Sequence, residues 1–580
     1  MTKNKVYLVI TLAIPFAFFA LLEGGLRLFD YGREIPLFMD YPAKEHATAP
    51  QYLLPRPDVV KRYFPEDAVA PTVTIETNFF LKHKPADGLR IVVQGGSTAA
   101  GFPFGYGASI AGMLDYRLKQ SFPEKTVEVI NTALAAVNSY TVLDFVDEII
   151  EQQPDAVLIY AGHNEYLGIL GVGSAYTAAN SAAATLLYLK LKNARIFQLL
   201  QNIYWQFTKS KIPDNAQRSR TFMSKVAKHK NIPYDSDLYH AGLAQFENNI
   251  ALVIAKYQAA GIPVFISTIA SNLADQAPFS SEASISEHSA DLYYQQGQKL
   301  LAQAKHNQAK QALIKARDYD LLRFRAPSAM NDVIRLLSKN DGVHFVDANK
   351  ALTGAAEQGV IGKSLMLEHL HPTINGYFVI ADSFYKALAQ SAVFGAFPAL
   401  VTTAAAQQDM PVFDAEVYWG KAKIAGLMAD YPFTDTPQKV QLPVAKTPSD
   451  RLGLSAYKSQ IGWLTIATEN LNYGKKHDKP LYLKSAKLLA DAMPFDAKHS
   501  YRAGVALIQA KKFNQAPRYL KRAIEINEGE INYQLALSHA YLSQGKLQQA
   551  LPWLESVLKL DPKNTTAIDV LPKVKHQLAQ

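Results

Sequence analysis

The sequence predicts an α/β protein whose parallel sheet is covered by helices on both faces, with a membrane-spanning helix before it and an all-α repeat region after it. Three observations support this prediction: an apolar run near the N-terminus, short β-branched runs that alternate with helical periodicity, and a 34-residue repeat near the C-terminus. At 580 residues the chain is also longer than one hydrophobic core usually supports, so we expect two or three globular units.

The apolar run comes first along the chain. Lys3 and Lys5 precede residues 6–22, which are almost entirely apolar. Large side chains such as that of Phe18 stand where a cleaved signal peptide has small ones. The pattern therefore favours an uncleaved signal anchor over residues 1–27, ahead of a cleaved signal peptide or a buried core helix. Because the flanking lysines stay inside, we expect the rest of the chain outside the cytoplasm, in the periplasm if the source is a Gram-negative bacterium.

The next segment, residues 28–88, is rich in proline and aromatic residues and predicts a juxtamembrane stretch that wraps the following domain. Beyond it, short apolar runs predict the strands of the sheet. These runs are residues 91–93, 127–130, 156–160, 263–266 and 343–346. In such sheets ligands bind beyond the carboxyl ends of the strands. We expect this domain over 89–395, with insertions at about 166–260 and 280–339 that form either a lid or substrate wall or inert packing.

The C-terminal region, residues 396–580, predicts an all-α domain. A set of small and apolar residues recurs 34 positions later along the chain. The first copy is Gly504, Ala516, Leu520 and Ala523, and the second is Ser538, Ala550, Leu554 and Val557. This period resembles tetratricopeptide (TPR) repeats, in which small side chains let two helices approach closely. We expect clear repeats over about 497–564. The same spacing at Gly297, Ala309, Leu313 and Ala316 predicts one further helical hairpin in the second insertion.

Composition and charge exclude several classes of function. The chain is 48% hydrophobic and 19% charged, which is ordinary for a folded protein. Its net charge of +9 comes from 60 basic and 51 acidic residues that are scattered without a Lys/Arg block, so we expect no nucleic-acid partner. The absence of cysteine excludes disulfides, thiolate nucleophiles and Cys-ligated metals.

A candidate nucleophile, Ser97, follows the first strand. It stands in Gly95-Gly96-Ser97-Thr98, where the glycines permit a tight strand-to-helix turn that presents a hydroxyl at the sheet edge. The segment lacks the glycine spacing of dinucleotide-binding loops, the lysine of a P-loop and the second glycine of a G-x-S-x-G elbow. A plain turn remains the alternative.

Candidate oxyanion donors follow the second and third strands. Asn164, in Gly162-His163-Asn164-Glu165, can donate its side-chain amide to a developing oxyanion, or can serve as a helix N-cap. The loop after the second strand contains Ala136, whose backbone amide can reach the same oxygen.

A candidate base, His371, stands near the end of the domain, three residues after Glu368. One short turn can then present the general base together with the carboxylate that orients it. The alternative is a metal site formed by Glu368, His369 and His371, but no further ligand on a neighbouring strand completes it.

Taken in chain order, these four blocks resemble the SGNH/GDSL family of serine hydrolases over about residues 89–392. The resemblance implies a three-layer, flavodoxin-like parallel sheet and an ester hydrolase that needs no cofactor. It implies that Ser97 is the nucleophile, His371 the base and Glu368 its orienting acid. The oxyanion hole would comprise the Ser97 and Ala136 amides with Asn164.

The sequence departs from the family pattern at three of these positions. Ala136 replaces the usual glycine, which matters if the backbone there requires a positive φ. Glu368 and Glu165 each replace an aspartate, and the additional methylene of Glu368 changes how His371 is held.

The sequence therefore predicts a membrane-anchored, extracytoplasmic serine esterase whose substrates are acyl esters, on envelope carbohydrate or lipid by analogy. The alternatives are an O-acyltransferase that acts on envelope polysaccharide with the same triad, and a non-catalytic TPR scaffold. We expect a protein partner on the repeats. Arg323, Arg325 and Asn272 are weaker candidates for substrate binding, since a guanidinium can clamp a carboxylate or phosphate.

Overall fold

The computed structural model describes residues 3–41, 50–66, 73–174, 181–208 and 231–580. Helix α1 (Lys3–Leu28) opens the chain. Over Thr11–Leu28 it is long and apolar enough to cross a membrane, and no part of that stretch is buried in the protein. The predicted N-terminal apolar helix is thus confirmed.

A small antiparallel sheet follows α1, in a segment for which the sequence predicted little regular structure. Its strands are β1 (Phe38–Asp40), β2 (Tyr52–Pro55) and β3 (Phe80–Leu81), in the order β1-β2-β3. The strands are too short to show an alternating hydrophobic pattern, which is why the sequence did not reveal them.

The predicted parallel sheet is confirmed. Within the described residues it has five strands, all parallel: β4 (Gly88–Gly95), β5 (Thr126–Asn131), β6 (Ala156–Tyr160), β7 (Val264–Ser267) and β8 (Val343–Val346). Their order is β5-β4-β6-β7-β8. The central strands β4 and β6 are buried except at the first residue of β4, so their sequences are mainly apolar. The carboxyl ends of β4 and β6 lie side by side, with Gly95 paired to Tyr160.

Twelve described α-helices of this domain lie between or after these strands along the chain, and seven of them form two groups that pack around the sheet. In chain order they are α2 (Ser97–Ala100), α3 (Ile110–Ser121), α4 (Ser139–Asp144), α5 (Val146–Glu151), α6 (Ala182–Leu191), α7 (Arg195–Thr208), α8 (Asp237–Ala259), α9 (Ala290–Ala302), α10 (His306–Asp318), α11 (Ser328–Leu337), α12 (Ala348–Ala355) and α13 (Ile374–Gln390). Helices α3, α12 and α13 form one group, and α4, α5, α8 and α11 form the other.

The two insertions have different surroundings. In the first, α6 and α7 lie beside α1 and the juxtamembrane segment, where Tyr188 donates a hydrogen bond to the Tyr63 carbonyl at 3.0 Å. In the second, α9 and α10 form the predicted helical hairpin. A Cβ placed on Gly297 would lie 2.6 Å from the Leu313 side chain, so the two helices meet where the repeat spacing indicated.

The C-terminal domain is helical throughout its described elements. These are α14 (Thr403–Gln408), α15 (Asp414–Met428), α16 (Pro448–Tyr457), α17 (Trp463–His477), α18 (Lys479–Ala492), α19 (Ala497–Gln509), α20 (Ala516–Ile526), α21 (Ile531–Leu542), α22 (Leu547–Leu560) and α23 (Thr565–Ala579). Helices α19 to α22 pair as two hairpins. A Cβ on Gly504 would lie 2.5 Å from Leu520, the same relation as in the α9–α10 hairpin.

The C-terminal helices pack against the parallel-sheet domain at α3 and near β5. Arg518 donates to the Phe122 carbonyl at 2.8 Å, and Tyr52 donates to the Pro494 carbonyl at 3.1 Å. Near this contact, residues 78–81, which include β3, make hydrogen bonds to β5. Asn78 Nδ2 donates to the Val129 carbonyl at 3.0 Å, and the Leu81 amide donates to Glu128 at 2.6 Å.

Candidate active site

Ser97 lies at the carboxyl end of β4, where the backbone turns sharply into α2. Gly95 has a φ of 156°, and a Cβ there would collide with the Tyr160 carbonyl of the neighbouring strand. Gly96 precedes the helix and Ser97 is its first residue. Only glycine fits the first of these positions, so the turn holds Ser97 at the sheet edge, half-buried.

His371 and Glu368 reach this serine from a tight turn before α13. The Leu367 amide donates to the His371 carbonyl at 2.8 Å, and Thr373 caps the helix that follows. His371 Nε2 lies 2.8 Å from Ser97 Oγ, while its Nδ1 contacts Glu368 Oε1. The three side chains, predicted from two separate motifs, thus form one continuous chain of contacts.

Glu368 is buried, and backbone amides surround its carboxylate. Oε1 accepts a hydrogen bond from the His371 amide at 3.1 Å, and Oε2 accepts one from the Leu370 amide at 3.3 Å. The longer side chain that replaces aspartate therefore folds back onto its own turn and still contacts His371.

Burial lowers the pKa of the His371 imidazole, to about 3. The ring is therefore neutral at pH 7, which is the form that accepts a proton. Phe102 covers one side of it, with 4.7 Å between the ring centroids.

The two other predicted blocks converge on the same turn. Asn164 Nδ2 lies 3.1 Å from the position that a Cβ on Gly96 would occupy, and the Val137 carbonyl lies 3.9 Å from it. Ala136, just before Val137, has a φ of 63°. It therefore occupies the left-handed region, in which the glycine of the family pattern is favoured.

Behind this loop lies a buried hydrogen-bond cluster that the sequence did not reveal. Glu165 accepts from the Ser139 hydroxyl at 2.7 Å and from the Ser139 amide at 3.1 Å. Gln245 of α8 also contacts the carboxylate, and Asn249 donates to the Ser139 hydroxyl at 2.8 Å. Burial raises the pKa of Glu165 to about 7, against the effect of these donors. The cluster ties the loop that contains Ala136 to α8.

Two further histidines lie close to the triad, although the sequence showed no partner pattern for either. His369 is buried between Phe279 and Phe433, and its Nδ1 contacts Glu368 Oε2. His163 is buried with Nδ1 accepting from the Ala326 amide at 3.2 Å. Burial and the nearby His371 lower the pKa of His163 to about 3.

The alternative of a metal site has three possible ligands that lie close together. Among the described residues, ligand atoms of Glu368, His369 and His371 lie within 4.8 Å of one another. However, both ring nitrogens of His371 already face other groups, Ser97 and Glu368. The arrangement therefore fits a proton relay better than three ligands directed at one ion.

The weaker candidates for substrate binding are buried. Arg323 donates to the carbonyls of Ile232 and Asp318, both at 2.8 Å. Asn272 lies next to the turn that contains Glu368 and His371, because its backbone amide donates to the His369 carbonyl at 2.9 Å.

Arg325 lies beside Asn272. Its guanidinium donates to the carbonyls of Asn272 and Gln276 and to Asp320, each at 3.0 Å. Arg325 is thus held by protein groups in the structure, and its role toward a substrate stays a prediction.

Comparison with known proteins gives one match to a family model and several to solved structures. A tetratricopeptide repeat model matches residues 507–569, which confirms the repeats predicted there. A catalytic mutant of Axe2, an acetylxylan esterase from Geobacillus stearothermophilus, is 12% identical over 53% of this chain and 97% of its own, with a TM-score of 0.28.

Two TPR structures each match about a fifth of the chain. The first TPR domain of human RPAP3 is 25% identical over 20% of this chain and 92% of its own, with a TM-score of 0.18. The TPR2B domain of yeast Sti1, in a complex with pHsp70, is 19% identical over 20% of this chain and 97% of its own, also with a TM-score of 0.18. No curated protein sequence matches the chain.

Proposed function

We propose that this chain is a membrane-anchored serine esterase, or acylhydrolase, that cleaves acyl esters with Ser97, His371 and Glu368. The observation that carries the proposal is the unbroken contact from Glu368 through His371 to Ser97, with 2.8 Å between His371 Nε2 and Ser97 Oγ. A neutral imidazole in this position accepts the serine proton as Oγ attacks an ester carbonyl. Glu368 orients the ring and stabilises the imidazolium that forms.

The carbonyl oxygen becomes an oxyanion during this attack and requires hydrogen-bond donors. The amides of Ser97 and Ala136 and the side chain of Asn164 are the donors that we assign to it. Removing one such donor typically lowers kcat by roughly 10²–10³-fold. His371 then gives its proton to the leaving alcohol, and water, activated by the same imidazole, hydrolyses the acyl-serine ester.

The proposal also covers the cellular location of the chain and its binding partners. With α1 as a signal anchor and its lysines inside, the catalytic domain stands outside the cytoplasm, where acyl esters of envelope carbohydrate or lipid are available. Helical repeats of this kind bind protein segments on their concave side, and we assign a protein partner to that side of the C-terminal repeats.

The test is hydrolysis of p-nitrophenyl acetate by the full chain in detergent, with Ser97→Ala and His371→Ala beside it. His576→Ala, on the exposed face of α23, serves as the control for loss of a histidine. We expect both triad variants to lose activity while the control keeps it, and a fluorophosphonate probe to label Ser97 in the parent. EDTA should leave the rate unchanged. Loss of activity on addition of EDTA would instead favour a metal ion bound by Glu368, His369 and His371.

A parent chain that neither hydrolyses the ester nor reacts with the probe would overturn the proposal. The remaining explanation would then be a scaffold that uses only the repeats.

A further inference from the structure

Helix α7 exposes a row of apolar side chains to solvent. Leu200, Ile203, Tyr204 and Phe207 follow one another at three- and four-residue spacing and form one face, here called the apolar stripe. Leu200 is 59% exposed, Ile203 44% and Phe207 78%. A surface helix normally turns such a stripe toward the core, so an outward stripe marks an interaction surface.

Helix α7 contacts the protein through Gln198 and Asn202, and through Phe197, whose ring packs against Tyr188. Gln198 Nε2 donates to the carbonyls of Arg33 and Lys192, at 2.8 and 2.9 Å, and its Oε1 accepts from the Arg33 amide at 2.9 Å. Asn202 donates to the Tyr31 hydroxyl at 3.1 Å. These bonds fix the rotation of the helix, so the stripe cannot turn inward without breaking them.

The end of α1 holds the beginning of α7. The Glu23 carboxylate of α1 accepts hydrogen bonds from the Arg195 and Ile196 amides, both at 3.0 Å, at the N-terminal end of α7. Arg27 pairs with the same carboxylate at 2.8 Å. The apolar stripe therefore begins beside the end of the stretch of α1 that is long enough to cross a membrane.

Further apolar side chains are exposed on two helices that precede α7 along the chain. These are Leu187 and Leu191 of α6, with Leu28 and Phe29 at the end of α1. Lys190, and Arg27 paired with Glu23, are exposed basic side chains in the same two helices. Apolar side chains interspersed with basic ones are typical of helices that lie in a bilayer interface.

We propose that α7 lies in the plane of the membrane interface, with the apolar stripe at the boundary between lipid headgroups and acyl chains. The occupant of this surface is the bilayer that α1 crosses, because Glu23 ties the start of α7 to the last two turns of α1. This second contact holds the catalytic domain in one orientation relative to the membrane, which a single spanning helix followed by a free linker does not. The inference rests on the proposed anchoring by α1, and its test separates the two.

The absence of cysteine permits single labels in the full chain. Ile203→Cys and Phe207→Cys would carry an NBD fluorophore in phosphatidylcholine–phosphatidylglycerol vesicles that contain doxyl-labelled lipid. Ile568→Cys on α23 is the matched control, because Ile568 is an isoleucine exposed to a similar extent, 50%. Phe18→Cys reports on the insertion of α1 itself.

We expect doxyl lipid to quench the labels at 203 and 207 and to leave the label at 568 unquenched. Labels at 203 and 207 that behave like the one at 568 would overturn the proposal, whether or not the label at 18 is quenched. Blue-shifted but unquenched emission at 203 and 207 would also overturn it, since another protein surface would then cover the stripe. A quenched label at 203 with an unquenched one at 18 would support the interfacial helix and reject the anchor.

Discussion

Ala136 holds a φ of 63° while its carbonyl oxygen accepts a hydrogen bond from the Ile169 amide at 2.8 Å. The bond connects the loop after β5 to the chain that follows Asn164, so the left-handed conformation is fixed by its surroundings. An alanine in this region is strained relative to glycine, by up to about 1–2 kcal/mol.

The first prediction concerns this strain. Ala136→Gly should raise the free energy of unfolding by at most about 1 kcal/mol, because the relief of strain exceeds the added flexibility of the unfolded chain. Ala136→Val should lower both stability and kcat, since a β-branched residue tolerates a positive φ poorly. Urea unfolding and ester hydrolysis measure the two effects. A glycine variant less stable than the parent would contradict the assignment of strain.

The second prediction concerns Glu368. Glu368→Gln keeps the shape of the side chain but removes the charge that stabilises a protonated His371, so kcat should fall by roughly 10²–10⁴-fold. KM should change little, because the carboxylate does not face the substrate. Circular dichroism of the variant checks that the fold is retained. Full activity would show that Glu368 does not act through His371.

The third prediction is the pH dependence of catalysis. An ordinary histidine loses its basic form below a pH of about 6.5. Burial lowers the pKa of His371 to about 3, so its basic form persists as the pH falls below that value. The value of kcat/KM should therefore remain level from neutral pH down through about pH 5. A decline centred near the ordinary histidine pKa would contradict the burial of the imidazole in the working enzyme.

The fourth prediction is the pH dependence of stability that arises from His163. Its pKa is lowered to about 3 in the folded chain, whereas in the unfolded chain it titrates near about 6.5. Between these values the unfolded state binds a proton that the folded state does not. Stability therefore falls as the pH falls through that window, by about 1.4 kcal/mol per pH unit for this group.

His163→Gln should flatten that slope in urea unfolding, while His576→Gln, on an exposed residue, should leave it unchanged. Equal slopes in both variants and the parent would show that His163 is protonated in the folded chain.

The fifth prediction concerns the close helix crossing in the repeats. A Cβ on Gly504 would lie 2.5 Å from Leu520, so Gly504→Ala should destabilise the hairpin by about 1–3 kcal/mol. Gly354→Ala is the matched control, because Gly354 is also helical but has no atom within 4 Å of the added Cβ. It should be neutral or stabilising by up to about 1 kcal/mol. Limited proteolysis within α19 and α20 measures local opening, and equal cleavage of both variants would contradict the steric argument.

The sequence predicted the parts of this structure that depend on local pattern. The strands of the large sheet were visible because burial on both faces selects continuous apolar runs. Ser97, Asn164 and His371 were visible because each follows or precedes a regular element in a short motif. Gly297 indicated the α9–α10 hairpin because a close helix crossing requires a small residue, and such residues recur at the same spacing in each hairpin.

The contacts that join distant segments were beyond sequence reasoning. Gln245 contacts Glu165 from 80 positions along the chain, and nothing local marks either residue as a partner. His369 was only a candidate metal ligand in the sequence, and the folded turn shows that it contacts the carboxylate of Glu368. The outward stripe of α7 has the same helical period as a buried one, so its direction cannot be read from spacing.

The side-chain bonds along β5 have a consequence for how copies of this protein behave at high concentration. β5 is the last strand on its side of the sheet, and such strands offer free amides and carbonyls to which another chain can add. The Asn78 side chain bonds to two backbone groups of this strand, because its Nδ2 donates to the Val129 carbonyl and its Oδ1 accepts from the Asn131 amide. The juxtamembrane segment thus covers part of this edge and disfavours edge-to-edge aggregation, which matters most for proteins at high density on a membrane.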